Sequence, residues 1–440
     1  MTGGFMSAAR SRLARMRANG FYKSVAWVAG GTAVAQAVTI LSTPVVTRLY
    51  TPADYGVFAV FTAILGVLQP LATLTYAMAI PLAEDRRQAQ NVLKLCLAIV
   101  AGISLLLGVA VIFSGGFLAA WFEMPAAEAY LWLLPICLLG AGCYESLSGW
   151  ALREKHFRIM SSTQISQSVS SAGAKIGLGF LGIQPLGLLL GLLASSVAGS
   201  FSLLRKLVQT EPEALQSFSR RELWAAAVRF KAFPQYRSWS RLLLGLNVRL
   251  PVFLMAALFD PVSVGYFGLA STMVDLPMSL IGNSVSKVFY AEIARFGKER
   301  PDKILRLSMS IMKKMSALGI LAASALVIAG PWMFSLVFGP EWNEAGIFAR
   351  WLAIAIMLRF VSSPVMHCLD VLEMQGLQLL INIVRVVIVS CAFGLAWMWG
   401  LAPVETAGLY ASGLALFYAL VIGAIVWLLR SRAARMAGDG

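Results

Sequence analysis

The chain has 440 residues, of which 59% are apolar and only 13% charged, with a mean hydropathy of +0.76. So little charge cannot cover the surface of a soluble domain of this size, and the long apolar runs lack the alternation of a membrane barrel. Composition therefore points to an all-α polytopic membrane protein, each span needing ~20 apolar residues. The formal net charge of +15 invites a nucleic-acid partner, which the placement of Lys and Arg excludes.

In chain order, a basic segment (residues 1–23, "SAARSRLARMRANGFYKS" and its flanks) precedes the first apolar run. That run continues without a polar mature start, so it reads as an uncleaved first span rather than a signal peptide. Twelve spans are expected, at 24–48, 56–82, 89–113, 127–151, 158–181, 185–206, 235–258, 262–287, 308–330, 345–369, 377–399 and 404–429. The longest polar stretch, "KLVQTEPEALQSFSRREL", lies mid-chain and reads as a linker (207–234) between an N-lobe (24–206) and a C-lobe (235–429), with a tail at 430–440. All but six of the 36 Lys and Arg residues fall in alternate inter-span segments with the span ends adjoining them, the linker and the termini. This bias places both termini in the cytoplasm and matches the anionic lipid of an inner leaflet; it is no nucleic-acid footprint.

Two short phrases echo each other: "LYTPADYGVFAV" from Leu49 and "LFDPVSVGYFGL" from Leu258, aligning Leu, Pro, Gly and Phe at an offset of 209. Thr51 and Asp260 are N-cap residues, Pro52 and Pro261 suit a first helical position, and Asp54 can complete a capping box. Gly56 and Gly265 permit close helix approach. A fainter echo pairs Phe122, Glu128 and Ala129 with Phe338, Glu344 and Ala345. Six spans separate the copies of the main phrase, an even number, so the halves form a parallel repeat of two six-helix lobes.

The six remaining cations are Arg48 and Arg350, near outer span ends, and Lys175, Arg249, Arg359 and Arg385, inside spans. A cation at bilayer depth costs ~2.5–3.5 kcal/mol on insertion scales unless it meets water or a partner. Arg249 lies mid-span beside Asn247 and Pro251, and Arg385 follows Asn382. Asp275 is the clear mid-span acid, at a depth to neutralise Arg249 or bind a coupling ion. These residues predict a cationic, hydrated cleft for an anionic head group, against snorkelling or structural pairing. Span 5 is rich in hydroxyls and amides, including Gln164 and Gln167, and either lines that cleft or packs closely through small residues; Gln36 in span 1 is a weaker candidate. Glu145, Asp370 and Glu373 read as interfacial.

The five cysteines fall inside apolar runs, the two histidines lack thiolate partners at zinc spacing, and "RFGKER" is no Walker A motif. No metal, cofactor or nucleophile–base pair is expected, and the reading is not an enzyme.

The stretches "TPVVTRLYTPADYGVFAVFTAI", "LTYAMAIPLAEDRRQA", "FPQYRSWSRLLLGLNVRLPVFLMAALFDPVSVGYFGLA" and "LPMSLIGNSVSKVFYAEIA" resemble bacterial polysaccharide biosynthesis proteins. These are O-antigen-type lipid-linked oligosaccharide flippases of the multidrug/oligosaccharidyl-lipid/polysaccharide exporter superfamily. The resemblance implies a MATE-like bundle in the bacterial inner membrane. It implies flipping of undecaprenyl-pyrophosphate-linked glycan for O-antigen, capsule or exopolysaccharide export, with membrane lipid, a glycan polymerase and glycosyltransferases of the pathway as partners. Two positions depart from the family's usual residues: Thr272, where it often has arginine, and Arg249, where it often has glutamine. The alternatives are a multidrug antiporter, which four intramembrane cations disfavour, and a membrane glycan polymerase, which short outer loops without Lys or Arg disfavour.

Overall fold

The computed structural model describes residues 27–121, 129–212 and 219–438, and among these every regular element is helical. The basic segment 1–23 and most of the fainter echo (Phe122, Glu128) lie outside the described residues. Twelve helices are long: α1 (Trp27–Thr47), α2 (Pro52–Ala72), α3 (Arg86–Trp121), α4 (Leu133–Arg153), α5 (Phe157–Phe180) and α6 (Leu186–Thr210), then α8 (Ser238–Leu258), α9 (Pro261–Phe296), α10 (Pro301–Phe338), α11 (Asn343–Val371), α12 (Gln375–Trp399) and α13 (Pro403–Gly438). Ten of them are long and apolar enough to cross a membrane. The other two, α4 with 21 residues and α5 with 24, have the length for a ~30 Å hydrocarbon core but a more polar composition. The protein is a multi-pass α-helical membrane protein.

Two expectations are corrected. The second span, expected to reach residue 82, ends at Ala72. Pro70 withdraws a backbone donor, and Leu74 and Thr75 then turn left-handed at φ 45° and 57°. The chain recoils into a 3₁₀ helix, Tyr76–Leu82. The linker also contains a ten-residue helix, α7 (Arg220–Arg229). Its buried Ala226 joins the core, its Ala227 carbonyl accepts from the Tyr76 hydroxyl at 3.0 Å, and Glu222 and Arg229 pair with Arg87 and Glu84.

The chain divides into two compact units: the described parts of Met1–Leu49, Phe61–Ala119 and Pro125–Leu246, and those of Tyr50–Val60, Ala120–Met124 and Asn247–Gly440. In the first, Trp150 sits in an apolar core with Ile80, Leu93, Cys96 and Leu207. Above that core, buried Glu211, just past α6, accepts from Gln90 at 2.7 Å and from the Trp150 indole at 3.1 Å, and pairs with Arg86 at 2.8 Å. Burial opposes its charge, but these hydrogen bonds and the Arg86 guanidinium outweigh burial and hold its carboxyl below the ordinary range.

In the second unit α11 is the central helix, packed along α9, α10 and α13. It approaches α10 through two facing glycines, a methyl on Gly346 falling 2.4 Å from the Pro331 Cα. The two echoed phrases meet here. The first copy caps α2 through the Thr51 amide donating to Asp54 at 2.8 Å, with the Asp54 amide answering to Thr51 Oγ1 at 3.3 Å. The second caps α9 through Asp260, which accepts from the amides of Val262 and Ser263 at 2.9 and 3.1 Å. Between the caps the contact is reciprocal: a methyl on Gly56 would fall 1.9 Å from the Pro261 carbonyl oxygen, and one on Gly265 would fall 1.8 Å from that of Pro52. Only glycine permits this approach, because each obstructing atom is backbone and cannot rotate away.

Two outcomes follow. Gly56→Val or Gly265→Val lowers the melting temperature of the detergent-purified protein, by a cost of ~1–3 kcal/mol for overpacking, whereas Gly30→Ala, in open space, does not. For Glu211, a depressed folded-state pKa means that its stabilisation is present above the unfolded value of ~4.3 and is lost as pH falls through the folded value. Acid melts of Glu211→Gln should therefore lack that component of the wild-type loss.

Candidate functional site

A membrane-embedded arginine must find water, a carboxylate or a free carbonyl. Within the second unit, three find these around one cavity of about 230 Å³, lined by Arg249 of α8, Asp275 of α9, Arg359 of α11, Arg385 of α12 and Tyr410 and Tyr418 of α13. A second cavity of about 210 Å³ continues between α9 and α11 and shares Asp275, Ile356 and Arg359 with the first.

The sequence explains how each group is held. Pro251 has no N–H to offer the carbonyl of Asn247 four residues earlier in α8. That carbonyl instead accepts from Arg385 Nη2 at 3.4 Å, which ties α12 to α8. The Asn247 side chain is 7% exposed; its amide donates to the Asn382 carbonyl at 3.4 Å, while its Oδ1 is buried without a donor. Arg359 forms an ion pair with Asp275. The sequence pointed to Arg249 as the partner of Asp275; the pairing goes to Arg359, on α11, which packs along α9. Arg249 is left exposed, with neither a hydrogen bond nor an ion pair among the described residues. Three guanidiniums thus face one carboxylate, and the cavity carries an excess of positive charge with an open guanidinium fork and a buried acceptor. Arg guanidinium matches carboxylate and phosphate geometry in a bidentate way.

Five of the residues singled out from sequence therefore come together: Asn247, Arg249, Asp275, Arg359 and Arg385. Four others belong to the first unit. Gln164 of α5 accepts from Thr32 of α1 at 2.7 Å. Gln167 lies across Gly199 of α6, and the Lys175 stem lies across Gly191, at distances of 2.1 and 2.5 Å from where a Cβ would stand. Gln164 and Gln167 thus contact neighbouring helices α1 and α6, as the Lys175 stem contacts α6. Gln36 of α1 keeps a buried Oε1 without a partner. Glu145 pairs with Arg241 at 3.5 Å, Asp370 with His367 at 2.9 Å and Glu373 with Lys298 at 2.9 Å. Thr272 lines the same cavity as Arg249, so the two positions that depart from the resembled family lie on one wall system.

Sequence reasoning missed Tyr410 and Tyr418. The signal was available: Tyr410, Leu414 and Tyr418 recur at i, i+4 and i+8, one face of α13, and all three line the cavity. Phe267 and Phe393 hold the Tyr410 ring at centroid distances of 6.1 and 5.6 Å.

The fold recurs among known transporters. A multidrug resistance MATE family transporter of the MOP superfamily, solved in an inward-facing conformation, superposes with a TM-score of 0.67 at 16% identity, covering 92% of this chain and 96% of its own. The lipid II flippase MurJ, in an inward closed conformation, gives 0.68 at 11% identity over 93% and 90% of the two chains. A eukaryotic MATE transporter gives 0.57 at 14% identity over 94% and 98%. At such identities the likeness establishes the fold, which is MATE-like. No curated protein matches the sequence. The model of a family described as polysaccharide biosynthesis protein matches residues 45–346, most of the chain, and the protein belongs to that family.

Proposed function

We propose that the protein is a flippase that moves undecaprenyl-pyrophosphate-linked oligosaccharide from the inner to the outer leaflet of a bacterial cytoplasmic membrane. The observation that carries this reading is the convergence of Arg249, Arg359 and Arg385 on one membrane-embedded cavity with a single carboxylate, Asp275. A cationic hollow at that depth is costly to build, and an anionic head group repays the cost. Family membership supports a glycan pathway, and one structural relative is itself titled a lipid II flippase.

The size of the hollow refines the role. Pockets for drug-sized ligands run to ~300–1,000 Å³, larger than either cavity here, at about 230 and 210 Å³. The cavity suits the diphosphate and not the glycan. Arg249, which among the described residues has no partner to give up, is the first contact; Arg359 and Arg385 supply field and secondary contacts, and Asn247 Oδ1 accepts from a hydroxyl or water. Gln36, Gln164, Gln167 and Lys175 remain candidate contacts on the first unit. The lobes correspond to 24–206 and 235–429, the termini and the linker lie on the cytoplasmic side by the Lys/Arg bias, and transport proceeds by alternating access. The residues do no covalent chemistry, and polymerase and glycosyltransferases act before and after on the same lipid-linked glycan.

The multidrug reading has one observation in its favour, the fold shared with MATE family transporters. The charge of the cavity opposes it, since a cationic drug would meet three guanidiniums.

Arg249→Ala at normal membrane levels should reduce glycan export by roughly 10–100-fold, the worth of one or two charge-assisted hydrogen bonds at ~1.5–3 kcal/mol. Lipid-linked glycan should accumulate on the inner leaflet, and Arg249→Lys should recover part of the loss. Undiminished export in the Ala strain removes Arg249 from this role.

A further inference from the structure

Polar residues recur along the facing sides of α9 and α11 at a helical interval that the anion cavity does not require. On α9 they are Asp275, Ser279 and Asn283, each four residues from the last; on α11 they are Arg359, Ser363 and His367, at the same interval. A stripe at i, i+4 and i+8 occupies one face, and here the two stripes face each other. Ser279, Asn283 and Ser363 line the second cavity together with the Arg359–Asp275 pair. Beyond it Ser286 and Ser363 place their hydroxyls 3.3 Å apart. The Tyr290 and His367 rings follow at 5.3 Å, and His367 Nδ1 lies 2.9 Å from Asp370 Oδ2. Eight residues separate Asp275 from Asn283 and Arg359 from His367, ~12 Å of helix at 1.5 Å per residue. The track therefore runs from the middle of the unit to the end where Lys298 and Glu373 pair, the end that the Lys/Arg bias assigns to the cytoplasm. At ~30 Å³ per water the second cavity, about 210 Å³, has room for several waters beside the hydroxyls of Ser279 and Ser363 and the amide of Asn283.

We infer that α9 and α11 enclose a water path from the His367–Asp370 end to Asp275, and that it delivers a proton to Asp275 when an anion takes Arg359 from it. The physical need is plain. An incoming phosphate competes with Asp275 for Arg359, and a carboxylate stripped of its partner in a low-dielectric interior is costly as an anion. A hydronium arriving along the path breaks one of its O–H bonds and forms one on Asp275, which becomes neutral; the reverse transfer restores the pair when the anion leaves. Facing Asp275 are Arg249 of α8, Arg359 of α11, Arg385 of α12 and the phenols of Tyr410 and Tyr418 of α13. Facing His367 are Asp370 on its own helix and Tyr290 of α9. The path stands on geometry alone, whereas its use in loading rests on the anion-transport reading.

The path is tested by single cysteines at Ser279, Asn283 and Ser363 in full-length protein lacking its native cysteines, labelled in inside-out vesicles with a membrane-impermeant, charged thiol reagent. Thiolates form only where water reaches, so all three should label several-fold faster than Ile281→Cys on the exposed side of α9. Equal, slow labelling at all four positions overturns the path. Proton delivery is tested by titrating inorganic pyrophosphate into purified protein in buffers of different ionisation enthalpy. Wild type should take up more protons per anion bound than Asp275→Asn, and equal uptake overturns the delivery. Absence of pyrophosphate binding in wild type refutes the anion reading and the delivery with it, and leaves the labelling to decide the path.

Discussion

The structure depends on one constraint: a guanidinium inside a bilayer must be answered by water, a carboxylate or a spare carbonyl. Three arginines of the second unit meet it in three ways. Arg385 uses a carbonyl that Pro251 released from its helical bond, and Arg359 uses the carboxylate of Asp275. Arg249 uses neither, and is left to the cavity. The differences matter more than the common charge. A cation paired with protein is a fixed part of the frame or an exchangeable partner; one with no such partner among the described residues is open to a ligand.

Holding such charges in register requires a rigid frame, and the frame is built from close backbone approaches. The reciprocal contact of Gly56 with the Pro261 carbonyl and of Gly265 with the Pro52 carbonyl joins the starts of α2 and α9. Facing glycines do the same for α10 and α11. Among apolar helices in lipid, where the hydrophobic effect gives little drive to associate, such close contact is a main source of packing energy. α11 also packs along α9, where Arg359 stands beside Asp275. The proline that begins α9 and the glycine one turn later set how closely α9 meets α2.

The polar content of the molecule separates by role. In the first unit Ser161, Gln164 and Gln167 of α5 contact α1 and α6, and buried Glu211 ties α3, α4 and the end of α6 together. In the second, comparable residues line space: Asn247 keeps an acceptor without a donor, and Ser279, Asn283 and Ser363 border a cavity. Composition alone does not distinguish the two uses, because a serine facing a glycine and a serine facing water are the same letter.

What the sequence determined by itself was what is local or additive. Hydropathy summed over ~20 residues located the spans, since insertion energy is nearly a sum of residue terms. The caps at Thr51 and Asp260 and the need for glycine at 56 and 265 were legible because their spacing is short. The mid-span position of Arg249, Arg359, Arg385 and Asp275 was legible because depth is a count of residues. The break after Ala72 and the helix in the linker were not, for they rest on positive φ at Leu74 and Thr75 and on docking to Tyr76 and Trp150's core. Nor was it legible that Asp275 belongs to Arg359 rather than Arg249, that Tyr410 and Tyr418 line the cavity, or that Gln164 and Gln167 meet α1 and α6. Those outcomes depend on how each helix is rotated about its axis and which neighbour it meets, and only the packed tertiary structure sets both.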